Sequence, residues 1–351
     1  MFDANNAVQT VLVGTTGSAG TTDGTPDIAQ FNNPQGLLQV TIGGAAGLLV
    51  ADSGNNLIRF VRLSDGYVRT LAGMGAAGSA DNIVGTSATF NYPIGLTQDA
   101  SNNVYIVDMS SSKIRVMNLN DPNFGVISVA ISGTSFFKPT AIAYMPTYVT
   151  NVIGLVTNVT AGANQLWVAD TFNNTIKLIT LTTPSTGSLT TYFGSNDRRT
   201  YGATDSPRGS SARFNQPRGL LWVPNLGLLI SDTGNSSIRL ATNNPTLNYG
   251  PTNYAVITYA GIPGSPGLVD GTSGAAKFNS PYGLWQDDVN SYFVADGGNN
   301  AIRSIQFGIR NYTPVQTPVI GYVTEITDPI TGLPTVVFHT DEQSLDRKSV
   351  V

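Results

Sequence analysis

The chain has 351 residues, of which only 11% are charged, and it contains 38 glycines and no cysteine. This composition favours many short strands joined by turns over long helices. A formal net charge of −4 and a pI near 4.9 give no general attraction for nucleic acid or for an anionic membrane. Without cysteine, disulfides and thiolate metal sites are excluded. No apolar run approaches the roughly 20 residues of a membrane span, so we expect no membrane insertion.

The first predicted element is a lone strand over Val8–Val13, followed by a loop rich in Gly and Thr. The next strand opens with the phrase Phe31-Asn32-Asn33-Pro34-Gln35-Gly36-Leu37. Proline suits the first position of a strand, where no donor is needed for the hydrogen-bond ladder. The phrase returns at residues 90–96, 214–220 and 278–284, and in a degraded form at residues 136–141.

A predicted β-hairpin follows each phrase. In the first copy an apolar run ends at Asp52, a turn rich in Gly and Asn follows, and a second run begins at Leu57. With Asn55 and Asn56 as the two central turn residues, Asp52 lies directly opposite Arg59, whereas a four-residue turn would change this register. An Asp precedes a cation by seven residues in all five copies, and we predict ion pairs that lock the hairpins. The pairs are Asp52–Arg59, Asp108–Arg115, Asp170–Lys177, Asp232–Arg239 and Asp296–Arg303.

A fourth strand is predicted after each of the first four hairpins, at residues 67–72, 126–131, 189–193 and 255–260. The loops before the phrases carry Asp23, Asp81, Asp205 and Asp270, which we interpret as loop-forming Asx turns. The third repeat also contains an insertion over residues 144–163, predicted as an extra loop or hairpin.

Each repeat is therefore predicted to be a four-stranded antiparallel sheet, and small sheets repeated in series bury both faces by packing radially. The predicted fold is an all-β propeller over residues 1–310. The phrase Phe-Asn-x-Pro-x-Gly-Leu, followed by Val-Ala-Asp-x-Gly-Asn-Asn-x-Ile-Arg, resembles the NHL-repeat propellers. This resemblance covers about residues 8–310 and implies a fold that hosts many functions.

Closure of the ring allows two arrangements. We favour five repeats, with the N-terminal strand Val8–Val13 pairing with residues 302–307 to close the ring. NHL propellers often have six blades, however, and residues 311–351 contain a predicted hairpin followed by a charged tail. This C-terminal segment is interpreted as either a partial sixth blade or an assembly arm.

The repeated aspartates are interpreted as fold determinants, because each has its own cation and a Ca²⁺ site needs six to eight oxygen ligands. Some propellers that resemble this one are lyases with a zinc site built on several histidines, but the chain has only His339, outside the repeats. A Ca²⁺-dependent, lactonase-like site would use Glu, and Glu325 and Glu342 both follow the repeats. We therefore expect no catalytic residue, no metal and no cofactor.

Positive charge is concentrated at one place, which we interpret as a candidate partner-binding patch. Some NHL domains bind RNA on a basic face, but RNA recognition usually adds exposed aromatics that stack bases, and we expect only Tyr201 to serve in this way inside the patch. The patch contains Arg198, Arg199, Arg208, Arg213 and Arg218. The glycosylation acceptor pattern occurs at Asn158, Asn173 and Asn235, three candidate modification sites.

Together these features predict a non-enzymatic binding or structural propeller whose partners are proteins. Its low charge and its surface rich in Ser, Thr, Asn and Gly favour an extracellular or surface assembly, such as a filament, an appendage or a virion-like particle. The alternatives are a propeller enzyme, lactonase-like or lyase-like, and an RNA-binding NHL domain.

Overall fold

The structure, a computed structural model, describes residues 12–146, 148–153, 156–161, 164–195, 199–224, 226–243, 254–287, 291–306, 323–327 and 334–338. The chain divides into two compact units, Met1–Ile305 and Gln306–Val351. The described residues of the first unit form five small sheets in chain order and one separate two-stranded hairpin, and the helices of the described residues are six 3-10 turns of three residues each. The prediction of an all-β propeller is confirmed. Among the same residues, no helix is long and apolar enough to cross a bilayer.

Blades one and two are four-stranded antiparallel sheets whose strands follow chain order. Each inner strand begins at the proline of the repeated phrase, as predicted. Blade one consists of β1 Pro34–Ile42, β2 Ala45–Asp52, β3 Leu57–Arg62 and β4 Val68–Ala72. Blade two consists of β5 Pro93–Gln98, β6 Asn103–Asp108, β7 Lys113–Asn118 and β8 Val126–Ser128.

Blade three has an extra outer strand. The chain arriving from blade two forms β9 Ala130–Gly133, which pairs in parallel with the outermost strand of blade three. The insertion forms a separate hairpin, β11 Tyr148–Ile153 with β12 Val156–Ala161, so the prediction of an extra hairpin is confirmed. The blade itself consists of β10 Ala141–Met145, β13 Gln165–Asp170, β14 Thr175–Thr183 and β15 Thr186–Phe193.

Blade four repeats the four-stranded pattern, and blade five shows three strands within the described residues. Blade four consists of β16 Pro217–Val223, β17 Gly227–Asp232, β18 Ser237–Asn243 and β19 Tyr254–Ala260. Blade five consists of β20 Pro281–Gln286, β21 Ser291–Asp296 and β22 Ala301–Gln306. The second unit contains a hairpin, β23 Val323–Thr327 with β24 Pro334–Phe338.

The predicted closing strand Val8–Val13 lies mostly outside the described residues, which begin at Leu12. Leu12 and Val13 themselves are not in a strand. The pairing of this segment with blade five therefore stays a prediction.

The inner strands β1, β5, β10, β16 and β20 lie next to one another in chain order, and the hydrophobic core fills the junctions between successive blades. At the junction of blades one and two, for example, Ile58 and Leu71 pack with Phe90 and Ile106. The phrase glycine lies where two blades approach most closely. A Cβ built at Gly36 would overlap the carbonyl oxygen of Ile94, and one at Gly219 would overlap that of Tyr282.

We expect Gly219→Ala to destabilise the propeller by about 1–3 kcal/mol, because the added methyl group forces the two blades apart. Gly274→Ala is the matched control, since a Cβ at Gly274 meets no atom within 4 Å. Urea unfolding of the two variants measures the difference. Equal midpoints would show that the junction of blades four and five does not depend on this close approach.

Candidate functional site

The hairpin turn in each blade has four residues, so the predicted two-residue turn was wrong. In blade one, Ser53–Asn55 form a 3-10 turn and Asn56 takes a left-handed conformation with φ of 56°. Asp52 consequently pairs with Leu57, and Arg59 pairs with Val50. The same register places Asp232 opposite Ser237 in blade four. The two-residue turn fails because only the last turn residue takes a positive φ, whereas a type I′ turn requires two.

The structure nevertheless brings every predicted Asp to its cation. The Asp side chain reaches two residues diagonally along the neighbouring strand, and both groups are buried in the first four blades, whereas the Arg303 side chain is 10% exposed. The nitrogen–oxygen distances are 2.9 Å for Asp52–Arg59, 3.2 Å for Asp108–Arg115, 2.7 Å for Asp170–Lys177, 2.9 Å for Asp232–Arg239 and 3.0 Å for Asp296–Arg303.

Each buried carboxylate also accepts hydrogen bonds from two other parts of its blade. In blade one, the Asn32 backbone N–H donates to one Asp52 oxygen at 2.7 Å, and the Asn55 side-chain amide donates to the other at 2.8 Å. Blades four and five repeat both bonds. The carboxylate therefore ties the phrase, the hairpin turn and the third strand of the blade together.

The loop aspartates, predicted as Asx turns, instead bind the same buried cations, and that interpretation was wrong. Asp23 lies 2.6 Å from Arg59, and Arg59 also donates to the backbone carbonyls of Thr22 and Gln30. The reason is that the loop folds over the following blade, where Gly24 bridges to Val68 of β4. The other loop pairs are Asp81–Arg115 at 2.7 Å, Asp205–Arg239 at 2.7 Å and Asp270–Arg303 at 2.5 Å.

Blade three is the exception, and its cation is Lys177. The segment before its phrase is short and contains no Asp; the Lys177 ammonium donates to the Ser135 carbonyl at 2.5 Å instead. The phenylalanine of each phrase lies under the cation, with ring centroids 5.0–5.5 Å from Arg59, Arg115, Lys177, Arg239 and Arg303.

Burial and ion pairing shift the pKa of these carboxyl groups in opposite directions. Burial raises the pKa of Asp232 to about 6, against the attraction of Arg239 and the hydrogen bonds from Asn215 and Asn235. Burial also raises the pKa of Asp108. Burial also acts to raise the pKa of the half-exposed Asp81. Hydrogen bonds from Ser128 and the charge of Arg115 outweigh this effect, so the pKa of Asp81 is lowered.

These shifts predict how stability depends on pH. Between the ordinary value near 3.8 and about 6, folded Asp232 holds a proton that the unfolded chain has released. Its contribution to stability therefore falls as the pH rises through that window. The buried ion pairs fix the geometry of each blade, although removing their charges from water costs free energy.

Within the described ranges, no three His, Asp or Glu side chains are grouped as metal ligands would be. His339 and Glu342 lie outside those ranges.

Two arginines of the predicted patch make local contacts with the protein itself. Arg213 donates to the backbone carbonyls of residues 210–212, and Arg218 stacks 5.5 Å from the ring of Tyr282 in the next blade. Arg199 and Arg208 are exposed, and Arg198 lies outside the described residues.

Two of the three candidate glycosylation sites lie in the hairpin turns. The amides of Asn173 and Asn235 are buried and donate to Asp170 and Asp232 at 2.5 and 2.7 Å, so modification would require these turns to open. Asn158 lies on β12.

An exposed aromatic cluster, which the sequence reasoning missed, distinguishes blade three. Phe137 and Phe172 are 37% and 38% exposed, their rings meet edge to face at 6.0 Å, and the Lys138 ammonium lies 5.6 Å from the Phe172 ring. The corresponding positions in blades one, four and five hold Asn and Gly. The degraded phrase Phe136-Phe137-Lys138 was the signal that could have revealed it.

The chain resembles several known proteins, although no protein-family model matches it. It is 27% identical over 311 residues to Protein SUPPRESSOR OF QUENCHING 1, chloroplastic, of Arabidopsis thaliana, covering 84% of this chain and 27% of that protein. It is 28% identical over 189 residues to NHL repeat-containing protein 2 of Bos taurus, covering 49% of this chain and 24% of that protein. The chain thus spans about a quarter of the length of these curated relatives.

Solved structures of similar fold have low sequence identity to the chain. An auxiliary nutrient binding protein from Bacteroides thetaiotaomicron is 15% identical with a TM-score of 0.49, covering 85% of this chain and 75% of that one. A virginiamycin B lyase from Staphylococcus aureus is 13% identical with a TM-score of 0.45, covering 81% and 73%.

We expect Asp108→Asn to lower the free energy of unfolding by about 3–5 kcal/mol, because it leaves the buried Arg115 without its interior counter-charge. Asp81→Asn removes the half-exposed partner of the same arginine, and we expect it to cost less than about 1 kcal/mol. Urea unfolding at neutral pH measures both variants. Equal losses would show that the interior pair has no special role in the blade.

Proposed function

The chain is an NHL-repeat β-propeller, and from that premise we propose that it is a non-enzymatic binding protein. More specifically, we propose a protein–protein interaction subunit of an extracellular or surface assembly. The aromatic cluster of blade three, formed by Phe137, Phe172 and Lys138, is the observation that carries this proposal.

The repeat itself supports this choice of surface. A side chain that recurs at one position in most blades is needed for the blade to form. A different residue at that position in one blade is available to contact a partner. In blades one, four and five the turn glycine packs against the phrase asparagine, and a Cβ at Gly234 would lie 2.5 Å from the Asn215 side chain. Blade three has the same turn conformation with phenylalanines at these two positions, so the turn forms with either set of residues and does not require phenylalanine.

The chemistry of the cluster suits a protein partner. Aromatic side chains beside a cation are enriched at the centres of protein interfaces, where they bury a large area with few rotatable bonds. Lys138 lies beside the rings and can pair with a carboxylate of the partner. The chain has 22 Asp and Glu against 18 Lys and Arg, so the surface of a second copy is acidic overall. Copies of this chain are therefore the first partners to test.

The double variant Phe137→Asn with Phe172→Gly gives blade three the residues that blades one, four and five have at these positions. We expect this variant to stay folded and to remain monomeric at concentrations where the natural chain self-associates, as measured by sedimentation velocity. Ile83→Asn is the control, because it removes an 81% exposed apolar side chain from a different loop. A natural chain that stays monomeric throughout, or a double variant that associates equally well, would contradict the proposal.

A further inference from the structure

The polar cluster at the hairpin turn of blade three holds an amine and an amide on one carboxylate oxygen. The Lys177 ammonium lies 2.7 Å from Oδ2 of Asp170, and the Asn173 side-chain amide donates to the same oxygen at 2.5 Å. All three side chains are buried. A primary amine and a primary amide are therefore held next to each other, away from water, with one carboxylate in contact with both.

The other four repeats do not contain this pair. Arginine takes the place of the lysine in each of them, and a guanidinium keeps its proton and does not act as a nucleophile. Blade two also has Ser111 at the position of the turn asparagine. Blade three is therefore the one repeat in which the sequence places an amine beside this amide.

The amide of Asn173 is also held by fewer contacts than its counterparts. In blade one, Asn55 donates to the Gly20 carbonyl of the preceding loop at 2.6 Å as well as to the carboxylate, and blades four and five repeat this contact. Blade three has a short segment in place of that loop. Within the described part of the chain, the Asn173 amide nitrogen bonds only to Asp170, and its Oδ1 has no partner. The carbonyl carbon can consequently turn toward the amine without breaking a second bond.

We propose that Lys177 and Asn173 become joined by an intramolecular amide bond, with Asp170 moving the protons. Lysine is a nucleophile once it has lost a proton, and a carboxylate in a site closed to water can take that proton. Holding both reacting groups on one oxygen removes the entropy cost of bringing them together. The Phe136 ring, 5.5 Å from the ammonium, gives the site an apolar wall.

The reaction balances as a condensation that consumes no oxidant and no cofactor. Asp170 takes one proton from the Lys177 ammonium, and the neutral Nζ attacks Cγ of Asn173. Asp170 then passes its proton to the amide nitrogen and takes a second one from Nζ. The bond between Cγ and the amide nitrogen breaks, and ammonia leaves. The product is a secondary amide between Nζ and Cγ, with one proton left on Asp170.

The bond fixes the hairpin turn that carries Phe172. Residues Thr171–Asn173 form the 3-10 turn, and the bond closes this turn onto β14, on which Lys177 lies. Phe137 is attached to the same site, because its backbone N–H donates to Asp170 at 2.7 Å. The aromatic cluster therefore stands on a cross-linked base, although the bond itself does not depend on the proposed function.

The intact mass of the purified full chain, incubated at neutral pH, tests the proposal. Loss of one ammonia should make the natural chain about 17 Da lighter than the mass of its sequence. Asn173→Ser gives blade three the residue of blade two and should retain its full sequence mass. Asn235→Ser is the matched control in blade four, where the cation is Arg239, and it should still lose about 17 Da.

A second measurement locates the bond at Lys177. After denaturation, an amine-reactive reagent should leave Lys177 of the natural chain unlabelled and should label it in Asn173→Ser, as read by peptide mapping. A natural chain with its full sequence mass overturns the proposal, as does a lighter chain whose Lys177 is labelled. The same mass loss in Asn173→Ser also overturns it, because the ammonia would then come from another residue. Since the natural chain carries both readouts, the test holds even where a variant fails to fold.

Discussion

The structure depends on one interaction, a buried cation held by carboxylates and carbonyls inside each blade. A charge removed from water needs a counter-charge and hydrogen-bond acceptors around it, or it destabilises the fold by several kcal/mol. Arg59 meets this requirement with Asp52 from the hairpin, Asp23 from the loop, and the backbone carbonyls on either side of Asp23 in the segment before the hairpin. Three separate stretches of chain therefore have to converge before the arginine can be buried, and this requirement makes each blade cooperative.

Blade three shows that the type of buried cation in a blade goes with the presence or absence of an Asp in the preceding loop. Four blades have an Asp in the preceding loop and use Arg, whose planar group offers five donors in two directions. Blade three has no such Asp, and its cation is Lys177, a compact charge with three donors that Asp170 and the Ser135 carbonyl engage. In place of the loop, β9 covers the outer edge of the blade by pairing with β15. The change from Arg to Lys follows from the lost carboxylate.

The sequence predicted the partners of the hairpin lock despite an incorrect turn. Moving from a two-residue to a four-residue turn shifts the pairing of Asp52 from Arg59 to Leu57. Side chains alternate between the two faces of a strand, so a shift of two residues leaves Asp52 and Arg59 on the same face. The turn type itself was not predictable from composition, because serine occupies the left-handed position in blades two and four, at Ser112 and Ser236.

The long-range contacts were harder to predict, although part of the signal was present. Asp81 and Arg115 are far apart in the sequence, and no local periodicity connects them. The signal was the co-occurrence of a loop Asp with Arg in the same four repeats. The degraded phrase marked the aromatic cluster, but the contact between Phe137 and Phe172 was not predictable, because it depends on how the phrase and the hairpin turn meet in space.

Blade five separates what forms a blade from what joins blades. Its lock is intact: Arg303 lies 3.0 Å from Asp296 and 2.5 Å from Asp270, with Phe278 stacked beneath. Among the described residues, Ile302 is nevertheless 72% exposed where its counterparts in the other blades are buried, and Asp270 is 92% exposed where the other loop aspartates are half-buried. The lock thus needs only residues of one repeat and its preceding loop, whereas the junction needs a neighbour. A chain built this way completes the lock of each blade locally, and the packing of that blade against its neighbour is a separate step.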